Sequence, residues 1–372
     1  MHIALVQTTD HPEPCGGLPL ARALAAAGHR VRLLTDIAEH GELSASGQSP
    51  GHLLVHPITT ATGADELAAL WTHEPPQVVH ATGSVASMIA VGTGVPTVHA
   101  VPPGAPAPHA AIGFPARVLA ASEDQHTALL GAGVARSRLR TVPAWVDTEA
   151  CTPHGPSLSR SERPRLVVAG GLARGHGADA AVAALSRVPG AELLVAGGRT
   201  DDDPDRARLF ALAREVGVVG RVRFLGPVGD ELMPRLLRSA DVVVAAPEYD
   251  VDAAPVLAAM ACGRPVVGTA VGGVGDAVLD QITGRHVRPG RSRELAAALR
   301  EVLEDNVAQL GYGIAARDRA CSRFDRARIA DILTTIYAEL LGAVAGAPPP
   351  GPDHPHDPDD TAHEGEDACV PS

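Results

Sequence analysis

Four Gly-Gly pairs are the residues of this sequence that point most directly to ligand chemistry. They are Gly16-Gly17, Gly170-Gly171, Gly197-Gly198 and Gly272-Gly273, and each follows an apolar run or opens a turn. Glycine after a strand lets backbone N–H groups approach a phosphate, and the dipole of the next helix favours negative charge there. One pair by itself also fits a plain turn. Their recurrence in both halves of the chain favours phosphate binding.

Two Asp-x-Asp patterns, Asp201–Asp203 and Asp250–Asp252, are of the kind that holds Mg²⁺ or Mn²⁺ through a diphosphate. The first is interpreted as a helix start, because acidic residues favour helix N-termini. The second lies between a predicted strand and a helix that opens at Pro255, which is where ligands often bind. A functional loop and a plain loop both remain open for Asp250, and no metal site is predicted.

Histidines offer a second source of chemistry. His80 and His99 lie on apolar predicted strands, where a hydrogen-bonded core histidine is the default interpretation. Of the two, His99 is the better catalytic candidate. His109 lies in a Pro-rich loop and is interpreted as a loop residue, and the histidines of the C-terminal tail have no spacing that predicts a metal site.

The elements that would position these residues follow a regular alternation. Short apolar runs alternate with helical patterns, which predicts βαβ units and parallel sheets. The predicted strands fall into two sets: 3–6, 31–35, 52–56, 77–81, 95–100, 117–122 and 138–144, then 165–170, 191–198, 221–226, 241–246 and 264–269. Helices are predicted at 18–28, from 292 to about 310 and from 326 to about 343.

A Pro-, Ser- and Gly-rich segment divides the two sets and predicts an interdomain linker. Ligands of such sheets bind beyond the carboxyl ends of the strands, and two facing sheets enclose a cleft. The predicted organisation is an N-terminal domain, a linker, a C-terminal domain, a closing helix and a disordered acidic tail, with bounds 1–150, 151–164, 165–325, 326–344 and 345–372.

Composition excludes several classes of function. The 31 basic residues are all arginine, so no lysine is present to form a Schiff base, act as a general base or clamp a phosphate. The net charge is −12. Seven acids lie in 345–372, which leaves the body near −5, so the charge argues against a nucleic-acid-binding protein.

Cysteine usage and hydropathy indicate the compartment. The five cysteines are far apart and form no CxxC pair, which argues against a disulfide framework or a zinc knuckle and fits a reducing environment. The N-terminus reads as a strand rather than a signal peptide, and no apolar run approaches the ~20 residues that span a bilayer. We expect a cytoplasmic protein, with peripheral contact to the inner membrane face left open.

From Met1 to about Ala343 the chain resembles the retaining, nucleotide-sugar-dependent glycosyltransferases of family 4, which have the GT-B fold. The segments that carry the resemblance are CGGLPLARALAAAGHRVRLLT (15–35), PQVVHA (76–81), VPTVHA (95–100), ASEDQHTALLGAGVARSRLRTVPAWVD (121–147), RVRFLGPVGDELMPRLLRSADVVVAAP (221–247) and AMACGRPVVGTAVGGVGDAV (259–278). They occur in the family's order. The resemblance implies an α/β fold of two facing Rossmann-like domains.

The resemblance also implies roles for individual residues. Gly16 and Gly17 would lie beside the donor diphosphate and shape the acceptor side. Gly272 and Gly273 would form a loop above the transferred sugar. Asp250 takes the place of the first glutamate of the family's Glu-x7-Glu motif, which lies near that sugar.

Several family positions are altered here. The arginine and lysine that contact the donor diphosphate are replaced by Gly171 and His176. Arg174 is the substitute cation that we predict, and we expect both Arg174 and His176 to approach the diphosphate. The second glutamate, which holds the ribose hydroxyls, is replaced by Ala258. One charge-assisted contact worth ~1.5–3 kcal/mol is then absent.

Two further departures concern the first half of the chain. The family's usual histidine after the middle strand is replaced by Pro102, and His99 lies three residues earlier. The usual Asn-Gly pair after the last strand is Ala144-Trp145.

Taken with the family's chemistry, the sequence predicts a retaining glycosyltransferase. It would move a sugar from a UDP- or GDP-linked donor to a small-molecule or lipid-linked acceptor, with no required cofactor. The alternative is a catalytically degenerate relative that stabilises or regulates an active homologue. A Rossmann dehydrogenase is disfavoured, because no GxGxxG follows the first strand.

Overall fold

The computed structural model describes the chain in segments that cover both predicted domains. The residues described are 1–7, 17–35, 53–58, 67, 69–71, 74–83, 86, 90, 92–105, 117–198 and 203–345. Predictions made for Gly16, His109, Asp201, Asp202 and the acidic tail fall outside these residues.

The first lobe is built on a parallel sheet of seven strands in the order β3-β2-β1-β4-β5-β6-β7. Its strands are rich in buried apolar residues, as expected for a sheet covered on both faces. The strands are β1 (His2–Gln7), β2 (Arg30–Thr35), β3 (Leu53–Pro57), β4 (Val78–Thr82), β5 (Thr97–Ala100), β6 (Arg117–Ala120) and β7 (Leu139–Thr141). Two helices described in this lobe are α1 (Gly17–Ala26) and α2 (Glu123–Gly131).

The second lobe repeats this plan with six parallel strands in the order β10-β9-β8-β11-β12-β13. The strands are β8 (Arg165–Ala169), β9 (Glu192–Ala196), β10 (Val222–Gly226), β11 (Val242–Ala245), β12 (Val266–Thr269) and β13 (Gly284–Val287). The helices are α3 (Ala178–Leu185), α4 (Pro204–Glu215), α5 (Met233–Arg238), α6 (Ala254–Ala261), α7 (Gly272–Ala277), α8 (Ser292–Glu304) and α9 (Asn306–Arg323). The α/β architecture of two Rossmann-like lobes predicted from the sequence is confirmed.

The chain crosses between the lobes twice, and the two crossings lie side by side. Val146 N–H donates to Phe324 O at 2.9 Å, and Arg326 N–H donates to Val146 O at 3.1 Å. The last helix, α10 (Arg326–Ala345), then returns to the first lobe, where Leu333 and Tyr337 join its core. None of the helices in the described ranges is long and apolar enough to cross a membrane.

Two elements differ from the sequence prediction. The helical region predicted from Ser292 to about Leu310 is two helices, because Asp305 leaves the helical conformation and caps α9. Its carboxylate accepts from the N–H groups of Val307 and Ala308. Strand β13 was not predicted, since this edge strand is short and carries polar residues in place of an apolar run.

Candidate active site

Three strands of the second lobe end at the same edge of their sheet, and the loops that follow them carry the predicted donor residues. Strand β8 leads into Gly171 and the loop to His176, β11 leads into Asp250, and β12 leads into Gly272 and Gly273. Because β8, β11 and β12 are adjacent and parallel, their carboxyl ends form one surface, the location where open α/β sheets bind ligands.

The loop after β8 is packed tightly around His176. A Cβ at Gly171 would lie 2.2 Å from His176 Nδ1, so the ring occupies the space that an arginine side chain would need. The ring of Tyr249 meets His176 edge to face, with 5.5 Å between centroids. Burial lowers the pKa of His176 below its usual 6.5, so this side chain is neutral at pH 7. The residue in the lysine's place therefore supplies no full positive charge there.

Arg174 is the cation of the same loop. It is exposed, and its guanidinium makes no ion pair with any residue that the structure describes. Its backbone carbonyl accepts from the Tyr249 hydroxyl at 3.1 Å, which ties the loop after β8 to the loop after β11. An exposed arginine whose backbone is held in place is suited to an anionic ligand.

Both carboxylate oxygens of Asp250 are hydrogen-bonded. Oδ1 accepts from the Gly273 N–H at 2.9 Å, and Oδ2 accepts from the Ser122 hydroxyl at 2.6 Å. Ser122 belongs to the first lobe, where it caps α2. Asp250 therefore joins the Gly272-Gly273 loop to the opposite lobe.

Further hydrogen bonds cross the cleft beside Asp250. The Gly272 N–H donates to Asp124 Oδ2 at 2.7 Å, and the Glu123 N–H donates to Asp276 Oδ2 at 2.9 Å. Desolvation, followed by repulsion from the neighbouring carboxylates, raises the pKa of Asp276. We name these contacts, together with Asp250–Ser122, the interlobe network.

The loop after β5 completes the first-lobe side of the cleft. A Cβ at Gly104 would lie 2.7 Å from the backbone oxygen of Asp250, so only glycine allows this close approach. Pro102, at the position of the family's usual histidine, has its carbonyl bonded to Gln125 Nε2 at 2.8 Å. At this position the chain therefore offers a backbone carbonyl in place of the family's imidazole.

The structure does not bring His99 into this cleft. His99 is fully buried in β5. Its neighbour His80 lies 2.7 Å from the Tyr337 hydroxyl in the interior of the first lobe. We therefore leave His99 out of the candidate site.

Gly17 begins α1 at the carboxyl end of β1, where a Cβ would lie 2.0 Å from Gln7 Oε1. Ala258 lies within α6 and is 9% exposed, so no carboxylate occupies the place of the second family glutamate. Asp203, from the first acidic pattern, caps α4 and accepts from the Asp205 N–H, which confirms the predicted helix start.

Sequence reasoning missed Ser122, Asp124, Tyr249 and Gly104 as members of the site. A signal for Ser122 was present, because serine followed by two acidic residues after a strand is a helix-start pattern. Its pairing with Asp250 had no signal, since the two residues lie on different lobes.

The replacement Gly272→Ala is expected to lower the free energy of unfolding by ~1–3 kcal/mol. Gly272 has a φ of +50°, and its Cβ would lie 1.8 Å from Asp250 Oδ1, so both backbone and carboxylate must move. Gly311→Ala in α9 is the matched control, because nothing lies within 4 Å of that position. It should raise stability by ~0.5–1 kcal/mol. Urea unfolding of both variants tests the pair, and equal effects would contradict the packing described at Gly272.

Two family models match consecutive parts of the chain. Residues 18–150 match "Glycosyltransferase Family 4", and residues 154–319 match "Glycosyl transferases group 1". Glycogen synthase of Mycobacterium tuberculosis is 32% identical over 237 residues, which cover 63% of this chain and 55% of that protein. D-inositol 3-phosphate glycosyltransferase of Mycobacteroides abscessus is 34% identical over 213 residues, which cover 55% of this chain and 47% of that protein. The chain thus spans about half the length of these curated relatives.

Solved structures resemble the whole two-lobed body. Sucrose-phosphate synthase from Thermosynechococcus elongatus aligns with a TM-score of 0.76 and 21% identity, over 92% of this chain and 99% of its own. Anabaena HepE in complex with UDP and glucose aligns with a TM-score of 0.76 and 18% identity, over 91% and 100%. At these identities the likeness concerns the fold alone. The chain is therefore a protein of the GT-B fold whose first lobe matches the Family 4 glycosyltransferase model and whose second lobe matches the group 1 model.

Proposed function

We propose that the protein is a glycosyltransferase that moves a sugar from a nucleotide diphosphate sugar, linked to UDP or GDP, to a small-molecule or lipid-linked acceptor. The observation that carries this proposal is that Arg174, Asp250 and the Gly272-Gly273 loop follow neighbouring strand ends, where Asp250 and Gly272 are bonded to the first lobe. The family models that match both lobes support a transferase, and a relative named for inositol phosphate supports a small-molecule acceptor. The resemblance to family 4 supports retention of configuration at the sugar.

In this proposal Arg174 supplies the positive charge for the donor diphosphate. The neutral His176 and the glycine at position 171 leave the guanidinium as the cation of this loop. Charge on the departing nucleotide diphosphate grows as the bond to the sugar breaks, so a nearby cation stabilises the transition state more than the bound substrate.

Asp250 would face the transferred sugar once the donor is bound. Each of its oxygens can accept a further hydrogen bond, so a sugar hydroxyl would share the carboxylate with Ser122 and Gly273. Gly17 and the loop at Gly104 would lie on the acceptor side, because both belong to the first lobe.

The variant Arg174→Gln is expected to weaken binding of UDP or GDP by about 10- to 100-fold, because a charge-assisted hydrogen bond contributes ~1.5–3 kcal/mol. Isothermal titration calorimetry with UDP and with GDP measures this loss. Arg300→Gln is the matched control, since Arg300 is also an exposed arginine of the second lobe but lies on α8. Equal binding by both variants would remove Arg174 from the donor site, and failure of the wild-type protein to bind either nucleotide at millimolar concentration would contradict the transferase proposal.

The altered donor positions favour a second candidate, a non-catalytic partner of an active homologue. Ala258 offers no bond to ribose, and each oxygen of Asp250 already accepts one hydrogen bond within the protein. Such a protein would co-purify with an active relative and would produce no sugar transfer by itself. Assays of the isolated chain with each donor, with and without that relative, separate the two candidates.

A further inference from the structure

Two free cysteines that are distant in sequence meet inside the protein, next to the first interlobe crossing. Cys151 follows the crossing and is 8% exposed, whereas Cys262 ends α6 and is fully buried. Both side chains belong to one buried apolar cluster, and each thiol shifts the pKa of the other. The pair lies away from the cleft, and the proposed function makes no use of it.

The backbones on either side of the pair are held in contact. Arg317 Nη1 donates to Cys151 O at 2.6 Å and to Ala261 O at 2.9 Å, so one guanidinium ties the two segments together. A Cβ at Gly263 would lie 3.3 Å from Pro153, which shows that the next residues are also packed together. The segments that carry the two cysteines are therefore held side by side.

The surroundings shift the pKa values of the two thiols in opposite directions. Interaction with the Cys151 thiol, assisted by Arg238 and Arg264, lowers the pKa of Cys262 against the opposing effect of burial. Interaction with Cys262, together with burial, raises the pKa of Cys151. A lower pKa favours the thiolate, the reactive form of cysteine, at Cys262.

We propose that Cys151 and Cys262 form a dithiol site that hydrogen peroxide converts into an intramolecular disulfide. The Cys262 thiolate attacks one peroxide oxygen, the O–O bond breaks, hydroxide leaves and Cys262 becomes a sulfenic acid. The Cys151 sulfur then attacks the Cys262 sulfur, the S–OH bond breaks, and water leaves with the Cys151 proton. Two thiols are oxidised, one peroxide is reduced to water, and a thiol reductant reverses the change.

The position of the bond gives it a structural consequence. Residues 146–153 form the first crossing between the lobes, paired with the return crossing through Val146 and Phe324. A disulfide would attach this crossing covalently to α6, the helix that begins just after Asp250. Formation of the disulfide should therefore restrict movement of residues 146–153, and the dithiol form should leave these residues freer to move.

The experiment uses the full chain treated with hydrogen peroxide, alkylated, and digested without reduction for mass spectrometry. A peptide pair joined through Cys151 and Cys262 is expected, and dithiothreitol should remove it. Cys151→Ser and Cys262→Ser should each abolish the linked pair. Hydrogen exchange of residues 146–153 should slow in the oxidised protein, and the melting temperature should rise by several degrees.

Cys321 serves as the internal reference, since it is more exposed and outside the pair. Oxidation of Cys321 with no Cys151–Cys262 link, or conversion of Cys262 to a sulfinic acid without a link, would overturn the proposal. A link that leaves exchange at 146–153 unchanged would overturn the effect on the crossing. These readouts need no sugar donor, so they stand or fall independently of the transferase proposal.

Discussion

Replacement of Asp250 by alanine should lower sugar transfer by about 100- to 1,000-fold, the usual cost of removing a group that stabilises charge at the reacting centre. In the structure this carboxylate lies at the end of β11 and accepts from the Gly273 N–H and the Ser122 hydroxyl. The alanine variant removes both acceptors and the negative charge. Single-turnover rates with a UDP- or GDP-linked sugar donor measure the loss.

Two further variants distinguish the effect of the Asp250 charge from the effect of its hydrogen bond to the first lobe. Ser122→Ala removes the hydrogen bond across the cleft but leaves the Asp250 carboxylate and its bond from Gly273. Asp250→Asn keeps the size of the side chain and can bond both partners while losing the charge. If Asp250 acts on the sugar, Ser122→Ala should change the rate less than tenfold, and Asp250→Asn should resemble Asp250→Ala.

Other outcomes have definite meanings. Equal losses for Ser122→Ala and Asp250→Ala would show that Asp250 only holds the lobes together. Unchanged transfer with Asp250→Ala, in the presence of an active relative, would favour the non-catalytic partner.

Acidification should destabilise the protein through His80, with a loss of ~3 kcal/mol in the free energy of unfolding between pH 7 and pH 4. Burial, with the nearby His99, lowers the pKa of His80 to about 4. The unfolded chain takes up a proton as the pH falls through about 6.5, whereas the folded chain resists it. The contribution of neutral His80 to the free energy of unfolding is complete above pH 6.5 and is lost as the pH falls towards 4.

A hydrogen bond to Tyr337 on α10 helps to stabilise the neutral form of His80. Burial raises the pKa of Tyr337, so its hydroxyl remains protonated, and it shares a hydrogen bond with Nδ1 of the neutral His80 at 2.7 Å. Urea unfolding at several pH values, compared with His80→Gln, isolates this contribution from that of other histidines. Tyr337→Phe should lower stability at pH 7 by ~1 kcal/mol or more, because it leaves the buried Nδ1 of His80 without its hydrogen-bond partner. Equal pH dependence in wild type and His80→Gln would contradict the assignment.

The interlobe network bears on how a donor would enter. The carboxylates of Asp124 and Asp250 already accept the N–H groups of Gly272 and Gly273, and Asp276 accepts across the same boundary. A bound diphosphate would add negative charge beside these groups, so donor binding and lobe contact should oppose each other unless Arg174 compensates. The effect of Arg174→Gln should therefore be larger at low ionic strength, where repulsion is least screened.

The sequence by itself determined the class of fold. Alternating apolar runs and helical patterns specify parallel strands, and such strands place their following loops at one edge of a sheet. The glycine pairs at 170–171 and 272–273 therefore predict one shared edge, and the structure places them after the adjacent strands β8 and β12. The residues around Asp203 were also enough to predict that a helix begins there, because helix capping depends only on neighbouring residues.

Tertiary structure alone decided which side chains meet. Ser122 reaches Asp250, and Cys151 reaches Cys262, only because the lobes and the crossing bring distant segments together. Burial also decides the chemistry of two histidines. His99 is fully buried in β5, and the pKa of His176, which packs against Tyr249, is lowered so that its ring is neutral at pH 7. Hydrophobic periodicity records whether a residue faces a core, but hydrogen bonds, solvent exclusion and pKa depend on neighbours contributed by other parts of the chain.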